Sequence, residues 1–401
     1  MSLMLDRISF MDGPDTHIRD VSLTLARGRL HVLLGPTLAG KTTLMRLMAG
    51  LDKPSAGRLV LDGRDVTGWP VRRRSVAMVY QQFVNYPTLT VFENIASPLR
   101  VAGVSRAEIG QRVAHAAKLL RLEAMLDRLP AQLSGGQQQR TAIARALVKR
   151  ADLVLLDEPL GNLDYKLREE LREELPRLFA ESGAILVYAT TEPAEALLLG
   201  GDTAALSEGR LVQFSPTATL YRNPASLEAA RVFSDPPLNE LAVEKRGTTL
   251  LTAHGQHRVP AALHGLDDGS YQMGFRSDAV TLAVTLGAAS AQPGSLAAGR
   301  PASHHPASHS RDSQNMAPDA LAFPGEVTVS EISGSESFVH VRVGGAAWVC
   351  LVPGVYDGQP GDRVAVHVDT AQAFLFGTGG GGNAAAAGGP AAARPMLAEA
   401  L

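Results

Sequence analysis

The run Leu133-Ser134-Gly135-Gly136-Gln137-Gln138-Gln139-Arg140, followed after a short interval by Leu155-Leu156-Asp157-Glu158-Pro159, constrains this chain more than any other feature. Upstream, Gly35-Pro36-Thr37-Leu38-Ala39-Gly40-Lys41-Thr42-Thr43 fits the phosphate-loop pattern G-x-x-x-x-G-K-[ST]. Such a loop needs a strand before it and a helix after it. The apolar run Leu30 to Gly35 and the helix-forming segment Thr42 to Ala49 supply both. Further apolar runs at Val76 to Tyr80, Leu153 to Leu156, Ala184 to Ala189 and Thr203 to Leu206 are short and nearly continuous. Strands buried on both faces read this way, so the fold class is α/β with a parallel sheet. Between Val84 and Ala146 the pattern turns helical, most clearly over Ala107 to Leu120 and Gln137 to Val148. Pro176 is expected to kink the helix that follows Asp164.

A chain of 401 residues exceeds what one hydrophobic core usually serves, so two domains are expected. Past about Arg231 glycine, proline and β-pattern content rises, with strand-like stretches at Tyr271 to Arg276, Glu326 to Ile332, Ser337 to Val343 and Arg363 to Val368. The expected organisation is therefore an ATPase-type domain over 1–233 with a helical insert at about 84–146, then a small β domain over 234–376. The stretch 287–320, rich in Ala, Gly, Pro, Ser and His, reads as a disordered insert, and 377–401 as a flexible tail. Lysine plus arginine number 38 against 40 acidic residues, which gives no electrostatic reason to expect nucleic acid as a partner. A single cysteine, Cys350, excludes an internal disulfide and, with no secretory pattern at the start, fits a reducing cytosol. No run reaches the roughly 18 to 20 apolar residues of a membrane span, so membrane association would have to pass through another protein.

A bound triphosphate needs many donors and few side chains. Gly35 and Gly40 let backbone N–H groups of the loop through Pro36, Thr37, Leu38 and Ala39 approach it, and the following helix N-terminus adds its dipole. Lys41 is placed to reach the β and γ phosphates, and Thr42, just before Thr43, to ligate Mg²⁺ with Asp157 from the end of a buried strand. Ser134, Gly135, Gly136 and Gln137 open another helix with exposed N–H groups.

Together the three motifs resemble those of ABC-transporter ATPase subunits. The resemblance implies ATP and Mg²⁺ as cofactors and Glu158 as the general base that polarises the attacking water. It assigns Gln81 to the loop glutamine that contacts metal and water, Ser134 to Gln137 to the γ phosphate of the opposite subunit, and Asp164 to a loop crossing the same interface. Hence a dimer is expected. Leu220-Tyr221-Arg222-Asn223-Pro224, Asp235-Pro236-Pro237-Leu238-Asn239, Gly274-Phe275-Arg276-Ser277-Asp278 and Val352-Pro353-Gly354 are similar to segments of the maltose-type carbohydrate importers. That implies a C-terminal OB-like β-barrel with a regulatory role. It also implies transmembrane permeases and a second, identical or related ATPase subunit as partners, an indirect link to a periplasmic solute-binding protein, and a peripheral place on the cytoplasmic face of the inner membrane. Phe83, Tyr86, Leu89, Val91 and Phe92 are expected to form the permease docking surface, because such a cluster is hard to bury within one insert.

Three departures stand out. Leu38 occupies a position where most relatives carry glycine, and a left-handed backbone there costs leucine roughly 1 to 2 kcal/mol. The position that usually offers an aromatic ring to adenine falls near Asp12, with Phe10 the nearest substitute. Ala189-Thr190-Thr191-Glu192-Pro193 places Thr191 where relatives carry a γ-phosphate-sensing histidine. His304, His305 and His309 lie in the insert and read as solvated linker histidines rather than metal ligands. Thr37-Leu38-Ala39 combined with the Thr-Thr-Glu-Pro switch resembles the ATPases of bacterial glycerol importers, in which two different ATPase chains serve one permease pair. The sequence thus leads to an importer ATPase for a carbohydrate or polyol, glycerol or a related solute in particular. The alternative is a hydrolysis-poor subunit that completes the ATP site of a non-identical partner. A soluble ABC ATPase of repair or translation would carry paired ATPase units or a coiled coil, neither of which the sequence contains.

Overall fold

The computed structural model describes residues 2–161, 163, 165–181, 183–284 and 320–378. Asp164, the insert apart from Ala320 and the tail beyond Thr378 lie outside the described residues. The chain divides into two compact units, Met1–Arg222 and Asn223–Leu401.

The first unit contains strands β1 (Ser2–Asp12), β2 (Asp15–Ala26), β3 (Leu30–Leu34), β4 (Ala56–Leu61), β5 (Arg64–Asp65), β6 (Val76–Val79), β7 (Leu153–Asp157), β8 (Ile185–Thr190), β9 (Asp202–Ser207) and β10 (Arg210–Pro216). Its helices are α1 (Lys41–Ala49), α2 (Val91–Val101), α3 (Arg106–Leu119), α4 (Gly135–Lys149), α5 (Tyr165–Glu181), α6 (Pro193–Leu199) and α7 (Thr217–Arg222). Six strands form one sheet in the order β10-β9-β3-β8-β7-β6, parallel except for β10, which runs antiparallel to β9. A separate antiparallel sheet, β2-β1-β4-β5, was not expected from the sequence. β7 and β8 are buried at every position. Successive residues go to different cores: Leu153, Leu155, Ile185 and Val187 join one cluster with α1, β1 and β2, whereas Val154, Leu156, Leu186 and Tyr188 join another with α2, α3 and α4. A strand with a core on each face has no room for charged side chains between its ends.

The helices start where their caps dictate. Thr90 accepts from the Glu93 N–H at 3.2 Å while the Glu93 carboxylate accepts from the Thr90 N–H, a capping box that fixes the start of α2. Helix α5 runs without interruption through Pro176.

The second unit begins with α8 (Leu227–Val232), where Ala230 packs with Phe374 and Phe376, so this short helix belongs to the β domain rather than to the ATPase unit. Among the described residues ten strands follow: β11 (Asn239–Arg246), β12 (Thr249–Thr252), β13 (Gly255–Arg258), β14 (Gly269–Phe275), β15 (Val280–Val284), β16 (Leu321–Ile332), β17 (Glu336–Val343), β18 (Ala346–Pro353), β19 (Arg363–Val368) and β20 (Phe374–Gly377). They form two five-stranded antiparallel sheets, β13-β12-β11-β14-β20 and β15-β19-β16-β17-β18, consistent with an OB-like domain. Burial alternates along β17, where Ser337, Val339, Val341 and Val343 face the core. Trp348 is the largest buried side chain, edge-on to Phe275 at 5.0 Å and to Phe323 at 5.3 Å. Gly377 pairs with Tyr271, so the last strand takes in the first residue expected to belong to the tail.

Candidate nucleotide site

β3 ends at Leu34 and the loop 35–40 leads into α1. Gly35 has no room for a side chain: a Cβ there would lie 2.3 Å from the Leu206 carbonyl oxygen. Gly40 caps α1 at φ +96°, and a Cβ on it would meet Ile18 at 2.8 Å, so both loop glycines are required by space or conformation. Leu38 adopts φ +69° and is 93% exposed, which places the strained residue at the loop tip, where its side chain meets only solvent. Pro36 and Thr37 are exposed, Ala39 is buried and Thr43 half-buried.

Lys41 is 6% exposed, and its ammonium donates to the carbonyl oxygens of Gly35 at 2.8 Å and Pro36 at 3.1 Å. Thr42 Oγ1 donates to Asp157 Oδ2 at 2.7 Å, joining the start of α1 to the end of β7. Glu158 follows immediately, in a left-handed conformation with φ +45°, and its N–H donates to the Ala189 carbonyl at 3.0 Å. Its Oε1 lies 3.9 Å from Lys41 Nζ, and its Oε2 accepts the Gln81 amide at 2.9 Å. Burial holds the Lys41 ammonium below its usual range, opposed by Glu158 and Asp157. Burial likewise pushes the Asp157 and Glu158 carboxyls up, opposed by Thr42 and Lys41 at Asp157 and by Lys41 at Glu158. A dominant ion pair would move all three the other way, so desolvation outweighs attraction here. The site buries an ammonium that a ligand's phosphates could balance and two carboxylates that a cation could balance. Mg²⁺ takes hard oxygen ligands, and the touching Thr42 hydroxyl and Asp157 carboxylate, with the neighbouring Gln81 amide oxygen, fit that donor requirement.

The structure therefore gathers the phosphate loop, Lys41, Thr42, Gln81, Asp157 and Glu158 into one cluster. Ser134 and Gln137 sit elsewhere, at the start of α4, in a capping box with Gln137 N–H donating to Ser134 Oγ at 3.3 Å and Ser134 N–H to Gln137 Oε1 at 2.9 Å. Gly135 and Gly136 form the first turn behind that cap. Two ties reach back to the cluster: Asn85 donates to the Gln138 carbonyl at 2.9 Å, and Gln139 to the carbonyl of Pro159. Thr191 is exposed on the turn after β8, and Phe10 pairs its ring with His17 at 6.2 Å.

Less of the segment expected to dock a permease is exposed than the sequence suggested. Val91 is fully buried, and Phe83 and Phe92 pack against the helical core, because α2 needs an apolar face to sit on α4. Val84 and Tyr86 remain exposed, and Arg145 lies over the Tyr86 ring at 5.2 Å. Sequence reasoning missed Glu195, buried behind the switch turn and bonded to Tyr188 and Thr190.

A strand, glycine loop and helix with a lysine and a hydroxyl, facing two carboxylates at the end of a second parallel strand, define a phosphate-loop ATPase. The ABC transporter family model matches residues 18–161 and the TOBE domain model residues 321–375. The Fe(3+) ions import ATP-binding protein FbpC of Escherichia coli O157:H7 is 37% identical over 270 residues, covering 67% of this chain and 76% of that protein. The trehalose/maltose import ATP-binding protein MalK of Thermococcus litoralis is 35% identical over 363 residues, 89% of this chain and 91% of that protein. Among solved structures, the ATP-binding cassette MJ0796, in a dimeric post-hydrolysis state bound to ADP and Pi, aligns with a TM-score of 0.50 and 30% identity, covering 54% of this chain and 98% of that one. The chain belongs to the ABC transporter family, with a C-terminal TOBE domain. It is the ATP-binding and ATP-hydrolysing subunit of an ABC importer.

Proposed function

We propose that residues 35–43 bind the phosphates of MgATP, with Lys41 on the β and γ phosphates and Thr42, Asp157 and Gln81 holding Mg²⁺. When bound, the metal neutralises charge on the phosphate oxygens. Glu158 is the base that takes a proton from the attacking water, and Gln81 orients that water together with the base. The single observation that carries this reading is the contact set of Lys41, Gln81 and Glu158, with the Thr42 bond to Asp157 beside it. Ser134, Gly135, Gly136 and Gln137 complete the site of a second ATPase subunit across a dimer, with Asp164 crossing the same boundary. The permeases dock on the exposed segment around Val84 and Tyr86, which puts the protein peripherally on the cytoplasmic face of the inner membrane, supplied through a periplasmic solute-binding protein. The cargo is a small solute, and a carbohydrate or polyol such as glycerol is the reading that the Thr37-Leu38-Ala39 and Thr190-Thr191-Glu192-Pro193 stretches favour; the relatives named above carry iron and sugars.

The test is Glu158→Gln in the assembled complex. Turnover should fall by about 10² to 10³ while nucleotide binding persists. Unchanged turnover would overturn the assignment.

Thr191 favours a second reading in which this site turns over slowly and the chain chiefly completes a partner's site. A threonine hydroxyl reaches less far than an imidazole, and one missing preorganised donor costs about 10² to 10³ in rate. Brisk ATPase of this subunit alone with the permeases, with no gain in Thr191→His, would eliminate that reading.

A further inference from the structure

Directly behind the switch turn lies a polar group that the nucleotide site does not use. Glu195, in the first turn of α6, is 6% exposed. Its Oε1 accepts the Tyr188 hydroxyl at 2.6 Å, and its Oε2 accepts the Thr190 hydroxyl. Arg172 of α5 brings Nε to 3.9 Å from Oε1. The Thr190 oxygen in turn accepts the Glu192 backbone N–H at 3.0 Å. A carboxylate so far from water is costly, and is tolerated because both oxygens receive hydroxyl donors and a cation stands nearby.

The location of this chain of bonds gives it meaning. Thr190 stands in register with Leu34, the residue before Gly35, and Ala189 accepts the Glu158 N–H. The end of β8 is thus wedged between the phosphate loop and the candidate base. Glu195 fixes both that end and the turn 190–192 that carries Thr191.

We propose that Glu195 is a positioning residue for ATP hydrolysis, holding the Thr190 to Glu192 turn against the strand ends that present Gly35 and Glu158. The inference rests on Glu158 being the base.

The experiment measures ATP turnover of the full chain assembled with its permeases, for Glu195→Gln, Thr190→Val, Thr190→Ser and Glu158→Gln. Glu195→Gln and Thr190→Val should each lower kcat about tenfold with KM for ATP within about twofold, and Thr190→Ser, which keeps the hydroxyl, should retain most of the rate. A fall in kcat at nearly constant KM that Thr190→Ser spares is a pattern a merely structural role would not produce. Unaltered kcat overturns the inference, as does a loss that follows thermal stability and is not spared in Thr190→Ser. Should Glu195→Gln fail to fold, the Thr190 pair decides. Normal turnover in Glu158→Gln would instead show that the reading of the site itself is wrong.

Discussion

The six-stranded sheet of the first unit and the antiparallel sheets of the second solve burial differently. β7 and β8 are buried at every position, whereas β17 alternates. On a strand with a core on each face, charged side chains are left to the ends. Parallel topology returns every such strand to the same edge, so those ends are pooled: Gly35 after β3, Gln81 just past β6, Asp157 and Glu158 at β7, and Thr190 at β8. Antiparallel strands run both ways and scatter their ends, and what the second unit concentrates is an aromatic core around Trp348. Catalytic capacity in this molecule thus follows from strand direction as much as from residue type.

The sharpest test of that contrast is Lys41→Ala. Removing the ammonium from the pooled edge should reduce ATP turnover on the order of 10³-fold with little loss of fold, measured by steady-state hydrolysis beside thermal melting. A merely proportionate fall in both would break the comparison. Trp348→Ala should do the reverse, costing the second unit about 3 to 5 kcal/mol through the cavity it leaves, read by denaturant unfolding, while nucleotide binding survives. Asp157→Asn should stabilise the nucleotide-free protein at neutral pH while abolishing activity, because it removes a charge that burial disfavours. The sign follows from the raised carboxyl pKa: the ionised form binds its proton more weakly in the unfolded chain, so the wild-type deficit exists at neutral pH and vanishes as pH falls through the folded value. A melting curve series against pH that shows no convergence at acid pH would sink this. The smallest effect belongs to Leu38→Gly. Relief of about 1 to 2 kcal/mol of left-handed strain is partly cancelled by roughly 0.5 to 1 kcal/mol of added backbone entropy in the unfolded chain, leaving a gain of about 0.5 kcal/mol.

The strands of the parallel sheet were legible because continuous apolar runs can hardly be anything else, and α3 and α4 matched their helical patterns within a residue or two. β1, β2 and β4 escaped notice. Register shifts at Ile8, Phe10 and Met11 break their alternation, and polar residues fill their outer face. In the site, Lys41, Thr42 and Asp157 could be placed by motif, whereas for Leu38 the sequence indicated only the cost of a left-handed backbone, the conformation it adopts. Glu195 could not be found that way. Its burial arises from the way α6 folds back on β8, and nothing in its immediate neighbours marks it as different from a surface glutamate. The exposure of the segment around Val91 was overestimated for the same reason, since Val91 becomes interior only once α2 lies on α4.

The ammonium of Lys41, tied to the Gly35 and Pro36 carbonyls, has already been stripped of most of its water by folding. The empty protein carries that desolvation as a debt, and an arriving polyphosphate settles it. Nucleotide affinity and the fragility of the unliganded chain are therefore two readings of one stored quantity: any change that makes the empty loop more comfortable should loosen its grip on the ligand by a comparable amount.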